Sequence, residues 1–174
     1  EAMEDGEIAV AFLNGGVRTS EQLEWSELLR KKAQMVVAFG SCAHIGGVPG
    51  LANFYDRAAL MANSYEDLPG VDNPDKTHPQ HSTKMPEGEL ELPELWDRVH
   101  SLDQVIDVDY YLPGCTVPPD LIMGAVEAVL AGELPPKGSI VGVDPKTNCD
   151  ECPRQKGRSG ARVTEFKRPH EVIA

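Results

Sequence analysis

Apolar and polar positions along this chain switch between two periods. Glu7 to Asn14 (Glu-Ile-Ala-Val-Ala-Phe-Leu-Asn) and Met35 to Phe39 (Met-Val-Val-Ala-Phe) are short, nearly continuous apolar runs. That pattern suits strands in a parallel sheet with both faces covered. Between them, Thr19-Ser20-Glu21-Gln22 reads as a capping box that opens a helix running to about Lys32. Trp25, Leu28 and Leu29 give this helix one apolar stripe, and Arg30, Lys31 and Lys32 fall in its last turn, where the helix dipole favours cations. Strand, helix and strand in this order make a βαβ unit.

Further along, Asn53–Ser64 is predicted as a short helix carrying Tyr55, Leu60 and Met61. A polar stretch from Glu66 to Glu91, with prolines at 69, 74, 79 and 86, reads as a long loop inserted over about residues 65–92. Pro93 suits a first helical position, and Leu92, Leu95, Trp96 and Val99 follow at helical spacing, which predicts an amphipathic helix ending near His100. A strand is expected over 105–111. After Pro118-Pro119-Asp120, residues Leu121, Ile122, Ala125, Val126, Val129 and Leu130 keep the i, i+3, i+4 pattern of a helix that Gly132 closes. Pro135-Pro136-Lys137-Gly138 then turns the chain into the short apolar run Ser139–Val143. The expected fold class is α/β, an open parallel sheet with flanking helices.

Composition narrows the class. The 174 residues are enough for one core-bearing domain, and no apolar run approaches the ~20 residues of a membrane helix. A formal net charge of −12 argues against nucleic acid as a partner. From Pro153 onward, six basic residues face two acidic ones, a local net of +4 that leaves −16 for the rest. This tail is either a solvated end or a docking surface for something acidic. The opening residues Glu-Ala-Met-Glu-Asp-Gly-Glu do not resemble a secretory leader, so the expectation is a cytoplasmic protein. A chain that opens on Glu1 and enters a strand almost at once reads as a piece of a longer polypeptide.

The candidate chemistry lies in cysteine turns. Gly40-Ser41-Cys42-Ala43-His44-Ile45-Gly46-Gly47 follows one predicted strand, and Leu112-Pro113-Gly114-Cys115 follows another. Two such strands would bring both thiols to one end of the sheet, the carboxyl end, where ligands bind in open parallel sheets. Backbone N–H groups in turns of this kind donate to sulfur and offset negative charge, which suits an iron–sulfur cluster. A 4Fe–4S cluster takes four ligands, and Cys149-Asp150-Glu151-Cys152 could complete the set or belong to a second site. A zinc site, a flavin or phosphate site, and a plain buried thiol stay open as alternatives. His44, two residues from Cys42, could contact a cluster sulfide or a partner. His78 and His81 read as solvated loop residues, and Glu7, Asp107 and Asp109 as acids with solvent or helix-cap partners.

Taken together, Gly40-Ser41-Cys42-Ala43 with Gly46-Gly47, and Pro113-Gly114-Cys115 before Pro118-Pro119, resemble the small subunit of nickel–iron hydrogenases and the related 20-kDa subunit of respiratory complex I. Pro49-Gly50-Leu51-Ala52-Asn53 and Asn148-Cys149-Asp150-Glu151-Cys152-Pro153-Arg154 are similar to the gamma or delta subunits of methyl-viologen-reducing hydrogenases and sulfhydrogenases. The resemblance implies a flavodoxin-like domain over 1–145 that binds a proximal 4Fe–4S cluster, and the start of a second iron–sulfur segment over 146–174. It implies Cys42 and Cys115 as proximal ligands, Cys149 and Cys152 as half of a further cluster's ligands, and Gly40, Ser41, Gly46 and Gly114 as the backbone around the proximal one. The family's N-terminal strand and its CxxC have no match here. The implied role is electron transfer without a catalytic residue of its own. A large partner subunit carries the nickel–iron centre, and an iron–sulfur or flavin subunit accepts electrons. The alternative within the same superfamily is a quinone-reducing subunit of the complex I type.

Overall fold

In the computed structural model, residues 2–142 and Lys146 are described, and residues 2–142 belong to one compact unit. Cys149, Cys152 and the basic run beyond Pro153 lie outside the described residues. At the centre is a parallel sheet of three strands, β1 (Ile8–Asn14), β3 (Ala33–Phe39) and β7 (Tyr110–Leu112), in the order β1-β3-β7. Ile140 adds a parallel bridge to Tyr111 at the outer side of β7. This is the expected α/β class.

Side chains of β3 alternate between two cores, as strand geometry requires. Val36 and Ala38 point to the side of Ala11, Ala43 and Leu102, where Leu23 of helix α1 (Ser20–Lys32) packs. Val37 points to Tyr110, Leu112 and Ala125, the last from helix α4 (Pro119–Ala131). The central strand β3 is thus covered on both faces, which explains its unbroken apolar run, whereas β1, at the sheet edge, buries only Ala11 and leaves Ala9, Phe12 and Asn14 exposed, so it is not the buried strand its sequence suggests. Helix α1 starts at the predicted capping box: the Thr19 side chain accepts from the Gln22 N–H, and the Gln22 side chain accepts from the Thr19 N–H. Helix α4 ends at Gly132, in the left-handed conformation that closes helices without a Cβ penalty.

Four expectations are corrected. The segment Leu95–His100 is not a helix but a strand, β6, antiparallel to the short β2 (Val17–Thr19). Its backbone finds non-local partners that a helix would forgo. The Arg18 Nε donates to the Trp96 carbonyl, Arg57 to that of Leu95, and the Asn53 amide both donates to the Val99 carbonyl and accepts from the Val99 N–H. The strand expected over 105–111 shrinks to Tyr110–Leu112. Ser101 instead caps a 3₁₀ turn at Leu102–Gln104, and Val105, Ile106 and Val108 fold under the first core. The helix expected over Asn53–Ser64 is divided into a 3₁₀ turn (Pro49–Phe54), the Asp56-capped helix α3 (Arg57–Ala62) and a π turn (Asn63–Asp67), because Asn53 is committed to β6. Within the polar insertion, β4 (Ser82–Met85) and β5 (Gly88–Glu91) form an exposed hairpin, so the stretch is not without structure.

Asp109 joins these layers. It is 6% exposed, and its carboxylate accepts from the Arg30 guanidinium at 2.6 Å, the Lys137 ammonium at 2.5 Å and the Val36 N–H at 2.8 Å. Its own N–H donates to the Val36 carbonyl. Asp109 therefore has neither of the expected partners, solvent or a helix cap. It joins the end of α1, the middle of β3, the entry to β7 and the loop after α4. Burial raises its pKa, but hydrogen bonds from Lys137, Arg30 and the Val36 N–H outweigh burial and lower it from 3.8 to about 2.

Asp109→Ala is expected to cost about 2–4 kcal/mol in urea unfolding, because it strands the Arg30 charge and the Val36 N–H. The pH sign follows from the depressed pKa. The carboxylate's stabilisation is complete above about pH 4 and is lost as pH falls toward about 2. Asp109→Asn should remove that component of the acid transition, read by unfolding at a series of pH values.

Candidate functional site

The carboxyl ends of β1, β3 and β7 are in register, with Asn14 beside Phe39 and Phe39 beside Leu112. Three loops therefore leave the sheet side by side. The first is Asn14-Gly15-Gly16. The second passes straight into the short helix α2 (Gly40–Ile45), which carries Ser41, Cys42 and His44. The third is Pro113-Gly114-Cys115.

The second and third loops are tied together by a backbone hydrogen bond, from the Ser41 N–H to the Gly114 carbonyl at 2.9 Å. A Cβ on Gly40 would sit 3.4 Å from that same carbonyl and 3.7 Å from the Asn14 Oδ1. The two cysteine turns are thus neighbours at one end of the sheet, as their sequence pattern predicts. Cys42 is half-buried and Cys115 is exposed, and both are free thiols.

Two glycines leave no room for a side chain. A Cβ on Gly114, at φ +145°, would lie 2.5 Å from the Val117 Cα and 2.6 Å from the Thr116 carbonyl. One on Gly47, at φ +51°, would lie 2.9 Å from the Cys42 Sγ. Gly47 thus keeps open the space beside the Cys42 thiol. Gly46 caps α2 in the left-handed conformation, and its N–H donates to the Cys42 carbonyl.

Tyr111 and His44 form a flank to this end. Their rings lie 4.7 Å apart, and the Tyr111 hydroxyl donates to the Asp103 Oδ2 at 3.2 Å. Burial, and then the Asp103 charge, raise the Tyr111 pKa. His44 therefore packs on an aromatic ring within the chain. His78 is not a purely solvated loop residue: its Nε2 meets the Glu66 Oε1 at 3.0 Å. Among the described residues no group of three or more His, Cys, Asp or Glu is placed to hold a metal ion.

The donor set fits an iron–sulfur group in part. Cys42 and Cys115 offer two thiolates from adjacent turns, half of what a 4Fe–4S cluster takes. Sulfur donors suit iron–sulfur or zinc over hard cations. Sequence reasoning does not bring Asn14, Gly16 and Tyr111 into this neighbourhood. Only the strand register reveals them, although the Gly15-Gly16 pair after an apolar run is a visible signal.

The fold is an α/β open parallel sheet with two cysteine turns side by side at its carboxyl end. The chain belongs to the family described as NADH ubiquinone oxidoreductase, 20 Kd subunit, matched over residues 1–129. It is similar to an iron-sulfur subunit of the F420-non-reducing hydrogenase of Archaeoglobus profundus, at 44% identity over 99% of this chain and 54% of that protein. A subunit of the F420-non-reducing hydrogenase of Methanothermobacter thermautotrophicus is 35% identical over 95% of this chain and 49% of that protein. The chain spans about half the length of these curated relatives. A chain of the crystal structure of NAD+-reducing [NiFe]-hydrogenase in the H2-reduced state has 32% identity and a TM-score of 0.65, covering 76% of this chain and 69% of that one. The resemblance to hydrogenase small subunits is thereby shown, and so is the α/β fold. Among the described residues no helix is long and apolar enough to cross a membrane.

The crowding at Gly114 predicts a graded series. Gly114→Ala should destabilise by roughly 2–4 kcal/mol, since backbone must move. Gly50→Ala, with open space and no positive φ, should stay within about 0.5 kcal/mol. Thermal unfolding of the two variants beside the parent checks the order.

Proposed function

We propose that this chain is the iron–sulfur electron-transfer subunit of a nickel–iron hydrogenase. In this reading Cys42 and Cys115 are two of the ligands of a proximal 4Fe–4S cluster. The observation that carries it is the pairing of the two cysteine turns through the Ser41–Gly114 hydrogen bond. The relatives that are named as hydrogenase subunits support it over the quinone-reducing alternative.

A bound cluster would supply one-electron transfer at a potential set by hydrogen bonding, charge and burial. The residues of this chain do the rest. Cys42 and Cys115 would supply two of the cluster's ligands. Gly40, Ser41, Gly46 and Gly114 shape the backbone close to them, and Gly47 leaves the thiol side unobstructed. Cys149 and Cys152 are assigned to a further cluster, whose other ligands come from outside these 174 residues. The H2 site belongs to a large partner subunit, and electrons pass on to an iron–sulfur or flavin acceptor, so no residue here acts as an acid or base. The setting in this reading is the cytoplasm.

The test is the native complex, isolated without oxygen. Iron and sulfide in equal amounts, with H2-dependent viologen reduction, are expected. Cys42→Ser and Cys115→Ser should each remove one cluster's worth of iron and sulfide and lower viologen reduction by about 100-fold or more, since each breaks the ligand set of a required electron carrier. Zinc without sulfide, or a complex inert to H2, would overturn the assignment.

A further inference from the structure

The first of the three loops at the carboxyl end of the sheet carries no cysteine. Asn14-Gly15-Gly16 offers one polar side chain, the Asn14 amide. Asn14 closes β1 and is paired in register with Phe39, the residue before the Gly40 turn. Strand pairing therefore sets where its side chain starts. The Asn14 Oδ1 lies 3.7 Å from the position that a Cβ on Gly40 would take, and the Gly114 carbonyl lies 3.4 Å from that same position. One amide thus stands where the turn of Cys42 meets the turn of Cys115. Gly40, at φ +82°, has no side chain to part them.

This amide has no other task in the fold. Among the described residues none exchanges a hydrogen bond with it, and Asn14 is exposed, as Cys115 is. Asparagines that serve the fold here behave differently. The Asn53 amide clamps β6 at Val99, and the Asn73 amide donates to the carbonyls of Tyr65 and Thr77. The aromatic neighbours of the site are already engaged: the Tyr111 hydroxyl donates to Asp103, and the His44 ring packs on Tyr111. Residues 8–17, 33–55 and 110–119, which hold the strands and loops of this end, have no Asp, Glu, Lys or Arg. Neutral N–H donors are then what this end offers to a negative charge.

We propose that the Asn14 amide donates an N–H···S hydrogen bond to a sulfur of the group bound by Cys42 and Cys115, and so raises its reduction potential. The inference rests on the proposed function, in which that group is a 4Fe–4S cluster. A primary amide presents its NH2 or its carbonyl by turning about a broad terminal torsion, so an anionic sulfur selects the donor. Reduction adds negative charge to the acceptor, the hydrogen bond strengthens, and the reduced form is favoured. Asn14 supplies no ligand and moves no proton or electron. It sets the potential at which the electron is accepted.

The experiment uses the native complex, isolated without oxygen and titrated redox-wise under EPR. Asn14→Ala should lower the ratio of reduced to oxidised cluster at a fixed potential by about tenfold, a midpoint drop of about 59 mV for one electron, with iron and sulfide content unchanged. Asn14→Asp keeps the shape but replaces the N–H donor by a negative charge, and should lower the midpoint further. A role confined to packing would lower the melting temperature and leave the midpoint where it was, and that outcome overturns the inference. A second measurement does not depend on how the variants fold. With asparagine labelled by nitrogen-15 in its side chain, pulsed EPR of the reduced, unmodified complex should show a coupled nitrogen that Asn14→Ala removes. No such coupling in the unmodified complex, or one that survives in Asn14→Ala, would refute the hydrogen bond. Failure of the functional reading looks different, as a complex without iron and sulfide.

Discussion

The buried carboxylate of Asp109 is the constraint on which the rest of the molecule depends. A charge at this depth is tolerated only with full pairing, and it has two cations and a backbone N–H. Those partners come from α1, β3 and the loop after α4, so one side chain sets where the chain enters the sheet for the last strand. From that entry the register follows: Val37 beside Tyr110, and Phe39 beside Leu112. Register then brings Gly114 to the Ser41 N–H. The cysteine turns are neighbours because a carboxylate five residues before Gly114 has a single place to go.

Chemistry and packing divide the chain's surface. The carboxyl end of the sheet holds thiols, glycines and backbone donors, with His44 and Tyr111 as an aromatic flank. The 3₁₀ turn beyond Gly47 holds apolar side chains, Leu51 and Phe54, that stand largely open to solvent. Ser41, Cys42 and His44 share with these apolar residues one stretch, residues 33–55, that has no Asp, Glu, Lys or Arg.

The strand β6 shows how non-local bonding overrides local pattern. Leu92, Leu95, Trp96 and Val99 have helical spacing, yet Arg18, Asn53 and Arg57 satisfy the backbone there and hold a strand. Asn53 has a double effect, because its commitment to Val99 also ends the helix expected around it.

What the sequence determined by itself was local and repetitive. The apolar runs of β1 and β3, the capping box of α1, the stripe and glycine stop of α4, and the two glycine-cysteine turns all follow from residue type and spacing. Its motifs were also sufficient to point to the hydrogenase small-subunit family. Tertiary structure alone decided the pairing of the turns, the late start of β7, the strand at Leu95–His100 and the neighbourhood of Asn14, Gly16 and Tyr111. Each of these depends on a hydrogen bond or a contact between residues far apart in the chain. Spacing along a sequence has no record of such partners until strand register brings them together.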